Sequence, residues 1–159
     1  FHFDEKWIYK QYLKSYITIE PNSYLDLINF FEKIVTKTNN NLIISSGNRN
    51  NKFIENFKND FSKINTNIYN FNNSKVFFLN NLSMKQLEFV ISKCSTIVSC
   101  HGAPTHIAAA FNKKIIDIID VSEKLFFVKW SAHFRKYEQL HRFEFNKLSE
   151  IILSKISNK

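Results

Sequence analysis

The residues best suited to do chemistry in this chain stand together in one short stretch, Ser99-Cys100-His101-Gly102-Ala103-Pro104-Thr105-His106. An apolar run, Thr96–Cys100, leads into it, and Ile107 with the alanines at 108–110 leads out. A buried strand must therefore turn sharply into a helix here. Gly102 supplies backbone freedom for the turn and room for a ligand to approach the main chain. Pro104 suits the first helical position, where its missing N–H costs nothing. The helix then offers unpaired N–H groups and the positive end of its dipole, a combination that binds anions and phosphate above all. The expected phosphate contacts are the N–H groups of Thr105 and His106, with the His106 side chain as a further donor. One histidine in such a loop usually does no more than cap backbone groups; His101 and His106 together shift the balance towards function.

Other chemistries are excluded by what the stretch lacks. It contains neither G-x-G-x-x-G nor a Walker loop, so dinucleotide and nucleoside-triphosphate fingerprints find no support. The spacing of Cys100, His101 and His106 matches no zinc framework, and no metal site is expected. Cys94 and Cys100, the only cysteines, read as core residues of a reduced protein.

The elements that must position this loop alternate between strand-like and helix-like segments, the signature of an α/β domain with a parallel sheet. Extended segments are expected at 1–3, 42–46, 76–79, 96–100 and 114–120, giving about five strands flanked by helices in a Rossmann-like sheet. Helices are expected from Ser23, where Asp26 completes a capping-box pair, over 51–64, from Ser83 with Gln86, over 104–111, over 130–140 and over 148–156. Residues 16–19 read as a connection. In an open sheet of this kind ligands bind at the carboxyl ends of the strands. That rule selects residues 4–7, 46–49, 80–83, 100–106 and 120–123. Gly47 and Asn48 offer an approach to a base or ribose, or a plain turn. Asp120 offers a carboxylate to a ribose hydroxyl or to a helix cap.

Composition sets the outer bounds. With 159 residues, 44% of them apolar and 16% aromatic, the chain has material for one well-filled core, which excludes a disordered segment. The net charge of +8 suits polyanionic partners. Its lysines are scattered without a recognition motif, so nucleic acid is not an expected partner. No apolar run approaches the ~18 residues a membrane span needs.

At 101–110 the sequence resembles glycosyltransferase family 9, the bacterial heptosyltransferases of lipopolysaccharide synthesis. Members carry D-T-G-P-M-H-L-A-A-A followed by a strand of the type K-P-V-V-A-L-F. The matching residues here are His101-Gly102-Ala103-Pro104-Thr105-His106-Ile107-Ala108-Ala109-Ala110, then Lys113-Lys114-Ile115-Ile116-Asp117-Ile118. The proline, the histidine and the small residues coincide. His101, Gly102 and Ala103 stand where the family has Asp, Thr and Gly, which points to a divergent branch using another sugar nucleotide. Glu5-Lys6-Trp7 resembles the family's Lys and Trp at the start of its C-terminal domain, and Ser45-Ser46-Gly47-Asn48 its second strand-end loop.

The resemblance implies one half of a GT-B enzyme, with residues 1–159 as a single nucleotide-sugar-binding domain at the C-terminal end of a longer protein. It implies Lys6, His101, Gly102, Ala103, Pro104, Thr105 and His106 as donor and phosphate ligands. An N-terminal domain would bind a glycan or lipid-linked acceptor and supply the general base. Transfer would be inverting and would use no metal or other cofactor, and the domain alone would be inactive. Such an enzyme serves surface-glycan synthesis in the cytoplasm, and the basic surface suits peripheral docking on an anionic inner membrane. Two other functions stay open on the residues alone: a non-catalytic nucleotide-binding module, and a GT-B-like nucleotide-sugar epimerase domain.

Overall fold

The structure, a computed structural model, describes residues 1–8, 17, 19–47, 52–60, 63–65, 67–71 and 74–156. Tyr16, Thr18, Asn48, Asn51 and Phe61, all named above or within the ranges expected above, lie outside the described residues.

Two sheets share one core. The first joins β1 (Leu42–Ser46), β2 (Lys63–Asn65), β3 (Ile68–Phe71) and β4 (Ser74–Asn80) in the order β1-β4-β3-β2. Its β1 and β4 are parallel; β2 and β3 extend it antiparallel. The second is parallel throughout, β5 (Thr96–Cys100), β6 (Lys114–Ile119) and β7 (Tyr137–His141), in that order. The opening residues 1–3 run between the two. Phe3 N–H donates to the Ser45 carbonyl, Ser45 N–H donates in turn to the Phe1 carbonyl, and on the other side His2 N–H donates to the Val98 carbonyl at 2.8 Å. The lateral order is thus β2-β3-β4-β1-(1–3)-β5-β6-β7. Without the antiparallel edge this is the strand order of a doubly wound Rossmann sheet, whose switch point falls between residues 1–3 and β5.

Local chemistry explains the helices. In α1 (Tyr24–Thr38) the Ser23 hydroxyl accepts from Asp26 N–H and the Asp26 carboxylate accepts from Ser23 N–H, both at 3.1 Å. Asn39 then ends it in the left-handed region at φ 50°. Ser83 and Gln86 make the same box for α3 (Met84–Lys93). The remaining helices are α2 (Lys52–Asp60), α4 (Ala103–Ala110), α5 (Lys124–Ser131) and α6 (Phe145–Ile156).

Four of the five expected extended segments form strands, 1–3 contributes a single parallel bridge from His2 to Ser45, and three further strands, β2, β3 and β7, accompany them. The helix expected over 51–64 stops at Asp60, and Lys63 and Asn65 pair instead with Tyr69 and Ile68 across a reversal at Asn67, φ 67°. The helix expected over 130–140 is also corrected: α5 ends at Ser131 and residues 137–141 form β7. Pairing with β6, from Ile115 beside Tyr137 to Ile119 beside His141, overrides local preference there.

The main core is aromatic. Phe3, Trp7, Phe31, Phe57, Phe78 and Phe145 are fully buried, and Phe30 of α1 meets Phe145 of α6 edge to face at 5.7 Å. A smaller cluster of Ile91, Ile97, Ala108 and Ile115 seats α4 against the second sheet.

Candidate functional site

The site grows from the switch point. Residues Glu5–Trp7 make one 3-10 turn after the opening strand. Buried Trp7 anchors it, its indole N–H donating to the His2 carbonyl at 3.0 Å. The Asp4 carboxylate accepts from Lys6 N–H at 3.1 Å, and buried Arg142 donates through Nη1 to the Lys6 carbonyl at 3.2 Å. With its backbone held from two sides, Lys6 sends its ammonium across to the β5–α4 turn, where Nζ donates to the His101 carbonyl.

Gly102 sits under that ammonium. Its φ of 166° and ψ of −161° describe extended backbone open to any residue, so the expected conformational reason for glycine is corrected. The reason is steric. A Cβ at Gly102 would lie 2.9 Å from Lys6 Nζ, so the missing side chain makes the room that the cation uses.

The first turn of α4 also corrects the expected amide contacts. Thr105 N–H and His106 N–H both donate to the Gly102 carbonyl, at 3.0 and 3.3 Å. The N–H groups that the turn does not use are those of Gly102 and Ala103, since Pro104 has none. Ala103 is exposed at the mouth, while Pro104 and Thr105 are buried beneath it.

Under the turn lies a polar network. Asp117, fully buried in β6, accepts from Tyr137 Oη at 2.8 Å and from Thr105 Oγ1 at 3.2 Å, and pairs with His101 Nδ1 at 2.6 Å. Ser99 Oγ meets Thr105 Oγ1 at 3.1 Å, and Gln139 Nε2 donates to Tyr137 Oη at 3.3 Å. Burial, and then the Asp117 charge, push the Tyr137 phenol well above its usual range, so it keeps its proton and donates. His106 takes a different place. Its ring stands edge-on to His101, Phe134 and Trp130, and burial followed by the neighbouring His101 lowers its pKa, which leaves it neutral at pH 7.

The other predicted residues are less closely gathered. Gly47 follows β1 at the same sheet edge, next to the bridge between His2 and Ser45. Asp120 is buried and caps the 3-10 turn Val121–Glu123, its Oδ1 accepting from Ser122 N–H at 3.0 Å and Ser122 Oγ at 2.7 Å. Capping is its visible role. Helix α5 closes one side of the site, with the Phe127 ring 4.3 Å from that of His101. Leu125, Phe126, Val128 and Trp130 of α5 are exposed.

A concavity of about 900 Å³ lies at the opposite edge, by Leu42, Thr96 and Lys114 at the starts of β1, β5 and β6. Ligand crevices of open α/β sheets form at the carboxyl ends, so the switch-point loops take precedence over volume. Among the described residues no three His, Cys, Asp or Glu are grouped to hold a metal ion, and no helix is long and apolar enough to cross a membrane. Cys100 is buried, and its thiol is pushed far up by that burial, an inert core residue as expected.

The family model for glycosyltransferase family 9 (heptosyltransferase) matches residues 14–149, most of the chain. The chain belongs to glycosyltransferase family 9. It is a glycosyltransferase, with the α/β class and the Rossmann-like parallel sheet expected from its sequence. No curated protein and no solved structure matches it. For a family 9 member, the network around Asp117 was the main feature that sequence reasoning missed, together with Arg142. One signal was available: Asp117 interrupts the run Ile115-Ile116-Asp117-Ile118-Ile119. A charged residue in the middle of a two-sided apolar strand needs partners.

Proposed function

We propose that this glycosyltransferase chain binds the donor, a nucleotide-diphosphate sugar, at the switch point of its sheet. One observation carries the proposal: the Lys6 ammonium meets the β5–α4 turn at the carboxyl ends of the central strands, over a glycine that leaves it room. The diphosphate lies on this turn, between Lys6, His101 and the N–H groups of Gly102 and Ala103 at the head of α4. A fixed cation and aligned backbone dipoles stabilise the charge that develops on a departing diphosphate. Base and ribose lie towards the end of β1, near Gly47.

The acceptor, a glycan or lipid-linked sugar, is bound by an N-terminal domain that also supplies the general base. Transfer inverts the anomeric centre and draws on no metal ion. Surface-glycan assembly is the setting that family membership supports, with the +8 charge suiting a cytoplasmic enzyme held peripherally at an anionic membrane.

The test is a thermal-shift and calorimetric panel of UDP, GDP, ADP and CMP, their sugar conjugates and the parent nucleosides, since a ligand of the native state raises its stability. One nucleoside diphosphate should bind well above its nucleoside, and Lys6→Met should weaken it about tenfold, or roughly 1.4 kcal/mol. His106→Ala should act more weakly, because that ring packs among aromatics. If nucleosides bind as well as their diphosphates, or if nothing binds, the proposal is wrong.

A further inference from the structure

A carboxylate buried without partners is strongly unfavourable, so Asp117 in the middle of an isoleucine strand calls for a reason. The network around it has a definite proton order. Thr105 has one hydroxyl hydrogen and sends it to Asp117 Oδ1, so Ser99 must donate to Thr105. Tyr137 sends its hydrogen to Asp117 Oδ2 and accepts from Gln139. Both chains of hydrogen bonds converge on one carboxylate, which is left able only to accept. The third neighbour, His101 Nδ1 at 2.6 Å, must then carry a hydrogen. Fixing that hydrogen fixes the other nitrogen: Nε2 lies on the far side of the ring from Asp117, with a lone pair when the ring is neutral and an N–H when it is protonated.

The side chain of Asp117 is wholly enclosed, whereas that of His101 is 11% exposed, so the ring emerges at the mouth of the site beside the turn that Lys6 occupies. Phe127 covers one side of it at 4.3 Å and His106 stands edge-on at 5.1 Å, which restricts rotation.

We infer that Asp117 is a positioning residue that holds His101 in the Nδ1–H form and presents Nε2 to the diphosphate of the donor. The role rests on the proposed donor site and deepens it. In the imidazolium form Nε2–H donates a hydrogen bond to the departing diphosphate, alongside Lys6, and no covalent bond to the protein forms. A network that served packing alone would fix the same Nδ1 hydrogen but would leave Nε2 indifferent to a bound nucleotide.

The test is long-range proton–nitrogen NMR of the full chain with ¹⁵N-labelled histidine, His101 being assigned by comparison with His101→Gln. In the wild type the neutral ring should be predominantly Nδ1–H, and the Nε2 signal should shift when the nucleoside diphosphate found in the binding panel is added. Asp117→Asn, whose single amide oxygen replaces two carboxylate oxygens that serve three donors, should reduce the Nδ1–H population severalfold. Tyr137→Phe keeps the carboxylate and should retain the wild-type tautomer, a control that does not require Asp117→Asn to fold. A neutral wild-type ring in the Nε2–H form, or an Nε2 signal silent to a nucleotide that binds, would overturn the positioning role alone. Binding of no nucleotide at all would instead overturn the donor site, and the role with it.

Discussion

On the β1 side of the opening strand the interior is filled by rings. Phe57 lies between Phe31, Phe71 and Phe78, with centroids 6.0, 5.9 and 4.5 Å away. On the β5 side, beneath the His101 loop, the interior holds a carboxylate, two hydroxyls, a phenol and an imidazole joined by hydrogen bonds. Both regions are built on fully buried residues, Phe57 in one and Ser99, Thr105 and Asp117 in the other, yet they differ in what burial asks of them. Aromatic packing is non-directional, and neighbours can adjust to a change of shape. The polar cluster works only if each group finds its partner in one geometry, which makes it suited to aiming a side chain and poor as a source of stability.

Substitutions can break this contrast. Phe57→Ala removes a fully buried ring and is expected to lower unfolding free energy by about 4 kcal/mol in urea titrations. Where the variant stays folded, nucleotide affinity should hold. Asp117→Ala leaves three donors facing a void and should cost about 3 kcal/mol by the same measurement. Unlike Phe57→Ala, it should also impair nucleotide binding in the folded fraction. A loss at Asp117 below that of an ordinary core alanine, with binding intact, would erase the distinction.

Acid sharpens it from another direction. Burial first, with Lys6 adding to it, holds the His2 pKa at about 4 against the ordinary 6.5. That burial outweighs the attraction of Asp4 at 3.7 Å, so the ring is neutral in the folded protein and forms no ion pair. The unfolded chain then binds the proton more readily, so stability is full above pH 6.5 and declines as pH falls from 6.5 towards 4. Between pH 7 and pH 5 the loss should be about 2 kcal/mol, read as a lower urea midpoint, and His2→Gln should flatten it. The smallest effect is local. Ser23→Ala removes the α1 cap and should cost about 1 kcal/mol, with no change in nucleotide binding.

Legibility followed the range of the interactions. Capping boxes at Ser23 and Ser83 were readable because both partners lie within one turn. The turn from β5 into α4 was readable too, since apolar strand, glycine, proline and alanines are consecutive. The extent of β7 was not, because its pairing with β6 comes from residues some twenty positions earlier. The diphosphate amides assigned to Thr105 and His106 failed for a geometric reason: both close the first turn of α4 on the Gly102 carbonyl.

By itself, then, the sequence determined the α/β class, the family and the loop that faces the crevice, since hydrophobic period, caps and a contiguous motif are all short-range properties of a chain. Tertiary structure alone decided what surrounds that loop. Lys6 reaches it across 95 positions of sequence, Arg142 steadies Lys6 from the other end of the chain, and Asp117 turns from an anomaly in an apolar strand into the partner of His101. Those contacts depend on which strands lie side by side, and strand order is settled by packing the whole sheet, a property that no single segment carries.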